Sequence, residues 1–298
     1  MSNVGITAVG CPGASTFLKQ LIKHFPSDHF FGFDSDPFAV GRYICHHFST
    51  IPPADSPEFI AALKHQIKEC RLDLLWVINS RELLPVATWC ESMETTEYDG
   101  CKIIAQTVSS LNLSENKRNL YELCESLSLP HPQYRCLLYT SPSPRIFNSV
   151  DSFPDMLLME EVTGQNVDAM AFCAQYPTTT SAPILRSQKT REKSRSGVIT
   201  FGTHIFDPDI DHVIAVLVPR LGLTGFNGFQ FIGKHLIEIN PRVSSFIYTD
   251  DWCEPAYALD YYLGRSTALQ LAKHQARYPI GAHLVRYFDC ITNLTSRP

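Results

Sequence analysis

An acid, an amide and a guanidinium close an otherwise apolar run in His235-Leu236-Ile237-Glu238-Ile239-Asn240-Pro241-Arg242. On a strand, Glu238 and Asn240 are two apart and share a face, while Leu236, Ile237 and Ile239 supply apolar filling. Pro241 ends the strand, since it has no N–H for the ladder. A second strand-like run, Phe226 to Ile232, lies just upstream. If Gly233-Lys234-His235 forms a three-residue hairpin loop, Ile232 pairs with Leu236 and Gln230 with Glu238. Three oxygen-bearing side chains then converge: Gln230, Glu238 and Asn240. Hard oxygen donors of this kind suit Mg²⁺, which takes few protein ligands and completes its shell with phosphates and water. Arg242 is placed to hold a phosphate oxygen. The plain alternative is a strand end whose polar residues are solvated.

The elements that must position these residues alternate between strand and helix. Residues 4–9 and 30–33 read as buried strands, 73–78 and 102–105 as two more, with helices over 16–24, 38–47, 56–70 and 82–92. Strands alternating with helices imply βαβ units and a parallel sheet. Ser114 caps a helix that runs to about Leu127, with Lys117 in its first turn. Strands follow at 156–160 and 167–174. Between Leu185 and Thr203 comes a cationic run (Arg186, Lys189, Arg191, Lys193, Arg195), either a solvated hairpin or a loop near phosphates. A helix over 208–221, the hairpin above, helices near 254–263 and 266–275, and a strand-like run 283–288 complete the chain.

Composition narrows the classes. The 298 residues suggest one large or two ordinary domains, and 44% hydrophobic with 18% charged residues supports a sizeable core. A net charge of -5 argues against a nucleic-acid partner bound through a basic face. No apolar run approaches membrane-spanning length, and the N-terminus has no signal-type pattern. The ten cysteines form no C-x-x-C and read as free thiols of a cytoplasmic protein. Gly10-x-x-Gly13, followed by Asp34, partly matches a dinucleotide fingerprint and keeps an NAD-dependent oxidoreductase among the readings, but it lacks the third glycine.

Taken in order, the glycine-turn βαβ unit, Asn116-Lys117, Leu158-Met159-Glu160-Glu161-Val162-Thr163-Gly164, Asn227-Gly228-Phe229-Gln230 and Glu238-Ile239-Asn240-Pro241-Arg242 resemble the ATP-grasp superfamily. The branch most similar is the one built like the carbamoyl-phosphate-synthetase large subunit, with its carboxylate–amine ligases. The resemblance implies an α/β chain with a Rossmann-like pre-ATP-grasp domain over 1–108 and an α+β ATP-grasp domain over 109–298. It implies ATP and Mg²⁺ as cofactors, with Gln230, Glu238 and Asn240 as metal ligands. Lys117, Glu160, Glu161, Val162 and Asp168 would bind the nucleotide, and Arg242 and Arg195 would be the catalytic cations. The reaction implied joins a small carboxylate to an amine through an acyl phosphate. A non-catalytic ATP-grasp-like binding protein is the alternative.

One stretch departs from the family. Between 133 and 155 the family carries a phosphate lysine and a glycine-rich lid, whereas this chain has neither glycine nor lysine there. Residues 136–145, Cys-Leu-Leu-Tyr-Thr-Ser-Pro-Ser-Pro-Arg, instead resemble a one-frame translation of a transposon-end sequencing adapter. On this reading, fragments 1–135 and 146–298 are joined across an adapter with the lid lost, and the ligase is impaired. Sequencing the gene across codons 136–145 is expected to return the adapter nucleotides; a different codon spelling would remove this reading.

Overall fold

The computed structural model describes residues 1–11, 13–136, 157–173, 183–195, 198–243, 248–249 and 252–285. The adapter-like segment after Cys136 and the rest of the lid region to residue 155 lie outside the described residues, as does the side chain of Arg195.

The first half alternates as expected: β1 (Asn3–Thr7), α1 (Ala14–His24), β2 (His29–Asp34), β3 (His47–Thr50), α2 (Phe59–Glu69), β4 (Leu74–Trp76), α3 (Ser80–Ser92), β5 (Glu97–Tyr98) and β6 (Cys101–Ile104). They form one six-stranded sheet in the order β3-β2-β1-β4-β6-β5. All pairs are parallel except the β5–β6 hairpin. The central strands β1 and β4 are buried on both faces, so they read as unbroken apolar runs, while the outer β3 and β5 are partly exposed. The helix expected over 38–47 is replaced by a 3₁₀ turn, Val40–Tyr43, and by β3. The reason is a close backbone approach. A Cβ on Gly41 would lie 2.2 Å from that of Val9, and the Gly41 N–H donates to the Val9 carbonyl at 3.2 Å. Pairing of β3 with β2 then outweighs local helix propensity.

The second half contains α4 (Val108–Glu115), α5 (Lys117–Ser126), β7 (Tyr134–Cys136), β8 (Leu157–Met159), β9 (Asn166–Cys173), β10 (Pro183–Thr190), β11 (Lys193–Arg195), β12 (Val198–Ile205), α6 (Pro208–Leu221), β13 (Gly225–Ile232), β14 (His235–Asn240), β15 (Tyr248–Thr249), β16 (Trp252–Cys253), α7 (Glu254–Tyr262), α8 (Ala268–Gln275) and β17 (His283–Val285). A seven-stranded sheet runs β11-β12-β10-β9-β13-β14, with β17 added beside β12. Ser114 does not cap α5. Its hydroxyl donates back to the Ser110 carbonyl at 2.7 Å inside α4, and Asn116 caps instead, accepting from the N–H groups of Arg118 and Asn119. The expected helix therefore starts at Lys117, after the extended Asn116, and a further helix, α4, precedes it.

The β9–β13–β14 part of the sheet has two different faces. Ala169, Ala171, Phe229, Phe231, Leu236 and Ile239 pack with α5 and α6. Met170, Phe172 and Phe226 turn the other way and join the core of the first sheet. There Trp76 stacks on Phe226 with ring centroids 5.9 Å apart, and Phe17 meets Trp76 edge-on at 4.9 Å.

The β13–β14 hairpin departs from the expected loop. Ile232 pairs with His235, which leaves a two-residue turn, Gly233-Lys234, with Gly233 at φ +57° where a left-handed residue is needed. The expected Gln230–Glu238 pair still forms, because Ile237 is an extra residue between the Phe231–Leu236 and Gln230–Glu238 pairs. This bulge returns Leu236 and Ile239 to one face and Glu238 and Asn240 to the other. Without it, one of the two fully packed apolar side chains would face the polar side, at a cost of about 1.5–3 kcal/mol.

Thr7 ties β1 to α3 by donating to the buried carboxyl of Glu82. Burial, with Asp34 nearby, pushes the Glu82 pKa up to about 7. The sign follows directly. Between the ordinary carboxyl range and pH 7 the unfolded chain has lost this proton and the folded chain keeps it, so stability falls as pH rises across that window, by up to about 1.4 kcal/mol per unit. Glu82→Gln is expected to flatten that slope in urea unfolding measured from pH 4.5 to 8.

Candidate functional site

The polar face of the hairpin is built by register. Glu238 lies opposite Gln230, Gln230 opposite Asp168 on β9, and Asp168 opposite Lys189 on β10. This gives a row of carboxylate, amide, carboxylate and ammonium side chains across four adjacent strands, each about 4.8 Å from the next. Asn240 stands two residues beyond Glu238 on the same face, and its Nδ2 donates to Glu238 Oε1 at 3.1 Å. Lys117, the first residue of α5, brings Nζ to 3.7 Å from Glu238 Oε2. Both side chains are more than a third exposed, so this pair adds only about 0.2–1 kcal/mol and serves placement more than stability. Asp168 Oδ1 accepts from Arg191 Nη2 at 2.8 Å, and both side chains are largely buried.

The structure therefore brings together Gln230, Glu238, Asn240, Asp168 and Lys117. Among the described residues, no group of three or more His, Cys, Asp or Glu side chains could hold a metal ion. The donors here are of another kind: one carboxylate and two side-chain amides, with a second carboxylate one strand further on. Such a set fits Mg²⁺, which needs one or two carboxylates and takes phosphates and water for the rest. Arg242 follows the last strand of the hairpin. Its Nε donates to Ser80 Oγ at the start of α3, and Nη1 donates to the Val243 carbonyl at 3.0 Å. Arg195 lies in β11, on the sheet edge away from β14.

The expected nucleotide linker begins at the end of β8. Glu160 exchanges two bonds with Gln133: its N–H donates to the Gln133 carbonyl at 2.9 Å, and its carboxylate accepts from the Gln133 N–H at 2.8 Å. Glu161 is exposed and Val162 half-buried. The segment then folds onto the hairpin turn. Gly164, at φ +145°, lies so close that a Cβ there would meet Gly233 N at 3.0 Å, and Gly233 N donates to the Gln165 carbonyl at 2.8 Å. Only glycine fits this crossing.

Three positioning residues are absent from the sequence reading. Tyr121, one helical turn after Lys117, donates its hydroxyl to the carbonyl of the bulged Ile237 at 2.7 Å. Gln106 donates to the carbonyls of Thr224 and Pro241 and accepts from the Thr224 N–H, joining the exit of the first sheet to both ends of the β13–β14 hairpin. Ser80 receives Arg242. Spacing could have suggested Tyr121 alone, through its i, i+4 relation to Lys117. Asp34, the acid of the dinucleotide reading, accepts from the N–H groups of Gly10 and Asp36 and so closes its own turn.

No protein-family model and no curated protein matches the sequence. Solved structures match it in fold. The chain is similar to a multifunctional pyruvate carboxylase from Rhizobium etli, at 11% identity and TM-score 0.63, over 95% of this chain and 29% of that one. It is similar to L-amino acid ligase from Bacillus licheniformis, at 11% identity and TM-score 0.58, over 81% and 67%. It is also similar to N5-carboxyaminoimidazole ribonucleotide synthetase, solved as an ADP complex, at 14% identity and TM-score 0.59, over 88% and 77%. The chain spans 29% of the length of the multi-domain carboxylases it matches. No helix among the described residues is long and apolar enough to cross a membrane.

Tyr121→Phe leaves the bulge carbonyl without its donor and is expected to lower stability by about 1–3 kcal/mol. Urea unfolding of the variant beside the parent measures it.

Proposed function

We propose that this chain, which carries the ATP-grasp fold of those carboxylases and ligases, is an ATP- and Mg²⁺-dependent carboxylate–amine ligase. The observation that supports this best is the convergence of Gln230, Glu238 and Asn240 on one sheet face, with Lys117 and the Asp168–Arg191 pair beside them. Residues 1–108 would form the domain that flanks the site, and 109–298 the domain that grips the nucleotide.

In this reading Gln230, Glu238 and Asn240 hold Mg²⁺, which supplies charge neutralisation at the phosphate oxygens. Glu160, Glu161 and Val162 lie along the base and ribose, and Asp168 orients Arg191 toward the nucleotide. Lys117 offers a cation to the phosphates from its place beside Glu238, and Arg195 and Arg242 would bring theirs from β11 and from the end of β14. Arg242 reaches them after leaving Ser80. The substrate carboxylate attacks the γ-phosphorus and ADP leaves. The amine nitrogen then attacks the acyl carbon of the acyl phosphate, inorganic phosphate leaves, and the nitrogen loses a proton.

A second reading is a non-catalytic ATP-grasp-like binding protein. It is favoured by the absence of glycine and lysine between 133 and 155, where a lid would cover the phosphates. Both readings require nucleotide binding, and turnover separates them. In the first, turnover is weak for the chain as it stands and rises when a glycine- and lysine-bearing lid is restored. Calorimetric titration with Mg-ATP is expected to give saturable binding that Glu238→Ala removes and that EDTA weakens in the parent. Equal binding by parent and variant would overturn the metal assignment.

A further inference from the structure

A cavity of about 740 Å³ opens where the edge of the first sheet meets the second half of the chain. Its walls are the last turn of α3, the β5–β6 edge and the end of α7. That volume is in the range of small-molecule sites, which favour junctions of this kind. None of the residues assigned above to nucleotide or metal lies in these walls.

The wall chemistry restricts the ligand. Glu91, Glu94 and Glu97 set three carboxylates against one ammonium, and that ammonium, Lys102 Nζ, already donates to the Tyr262 carbonyl at 2.7 Å. Glu91 Oε1 accepts from the Val108 N–H at 2.8 Å, which fixes its carboxylate at the cavity. Glu94 and Glu97 are exposed, and neither carboxylate has an ion-pair partner among the described residues. Like charges on one wall repel, and a bound cation relieves them. The three do not converge on a point, since no such group among the described residues could hold a metal ion. The ligand that fits carries its positive charges spaced along a chain. Between the acids the wall is apolar and aromatic: Ala87, Cys90 and Tyr261 offer surface to methylene groups, and the Tyr261 ring suits an ammonium. Tyr262 also lines the cavity, is 3% exposed, and its hydroxyl has no partner among the described residues.

The cavity also touches the supports of the hairpin. Gln106 lines it, and the Gln106 amide holds Thr224 and the Pro241 carbonyl at the two ends of β13–β14. A Cβ on Gly225 would lie 3.0 Å from the Tyr262 hydroxyl, so both residues meet the chain where β13 begins. Gln230 is five residues further along β13, about 17 Å by strand rise. A ligand here reaches the hairpin supports and not the metal-type face.

We infer that this cavity binds an aliphatic polyamine as an effector, its ammonium groups on Glu91, Glu94 and Glu97 and its stem along Tyr261, and that occupancy tightens Mg-ATP binding. The tightening rests on the nucleotide reading; the polyamine site does not. Filling the gap favours the arrangement in which Gln106 bridges the hairpin ends, and a ligand that prefers one arrangement strengthens whatever else requires it.

Equilibrium dialysis of the full chain with radiolabelled spermidine, without nucleotide and at physiological ionic strength, tests the site. Saturable binding of one spermidine per chain is expected. Butylamine, with one charge on a similar stem, is expected to need a concentration roughly tenfold higher or more. Glu94→Gln combined with Glu97→Gln is expected to weaken spermidine roughly tenfold or more, the loss of two charge-assisted contacts. Glu69→Gln combined with Glu125→Gln removes the same charge from exposed positions outside the cavity and is expected to change nothing. An unchanged urea midpoint shows that each variant is folded. No saturable binding, equal affinity in the Glu94 and Glu97 variant, equal binding of butylamine, or full displacement by equimolar Ca²⁺ overturns the assignment. Mg-ATP is then titrated with and without spermidine. The parent is expected to bind it about fivefold more tightly with spermidine present, and the Glu94 and Glu97 variant equally in both conditions. Complexes of spermidine with ATP in solution would move both chains alike, so equal shifts, or no shift in the parent, remove the effector role. Spermidine binding in a chain that binds no Mg-ATP keeps the cavity and removes the nucleotide reading; the reverse result removes the cavity alone.

Discussion

One extra residue in β14 governs the polar face. Ile237 has no partner in the ladder, and its presence decides which side chains go inward. Leu236 and Ile239 are three apart and would alternate across a regular strand, yet both are buried in the same core. The two-residue turn sets one phase for the hairpin and the Glu238–Asn240 pair needs the other; the bulge reconciles them. Its carbonyl, outside the regular ladder, then needs a donor, and Tyr121 supplies it from α5. That same helix starts with Lys117, so the bond that satisfies the bulge also sets the cation beside Glu238.

The second constraint is the seam between the sheets. Trp76 belongs to the first sheet, Phe226 and Phe172 to the second, and their rings form one continuous cluster. Gln106 and the Arg242–Ser80 contact hold the polar end of the same seam. An apolar contact fixes the distance between the halves without fixing direction; the hydrogen bonds add direction. Together they allow residues more than 150 positions apart in sequence to share a surface.

Much of this was legible in the sequence, for physical reasons that also mark where legibility ends. Strand period placed Glu238 and Asn240 on one face, and the apolar runs at 4–9 and 73–78 announced buried parallel strands. Cross-strand pairing of Gln230 with Glu238 was read through a loop one residue too long, and survived because the bulge shifts the ladder back. Ser114 and Asn116 are both good helix caps, and only the bond from Ser114 to Ser110 decides between them. The stretch 38–47 reads as helix because the contact of Gly41 with Val9 is tertiary and leaves no local trace. Tyr121, Gln106 and Ser80 act through single backbone or hydroxyl atoms far away in the chain, which no periodicity encodes. The contact of Arg242 with Ser80 belongs to the same class.

The bond from Gln106 to the Pro241 carbonyl crosses 135 positions of sequence. During synthesis the first sheet can close from its own residues well before Pro241 exists. Its strands are joined by helices, and one of its faces packs within residues 33–111 alone, while the other is completed by Phe172, Phe226 and, beyond Pro241, Trp252, Leu259 and Tyr262. Gln106 must wait, exposed and hydrated, until β13 and β14 have paired. Long loops close slowly, because chain entropy is lost before contacts repay it. The polar face thus acquires its shape only after both halves have been made, and a nascent or clipped chain would hold one packed face of the first sheet beside an unfinished polar face.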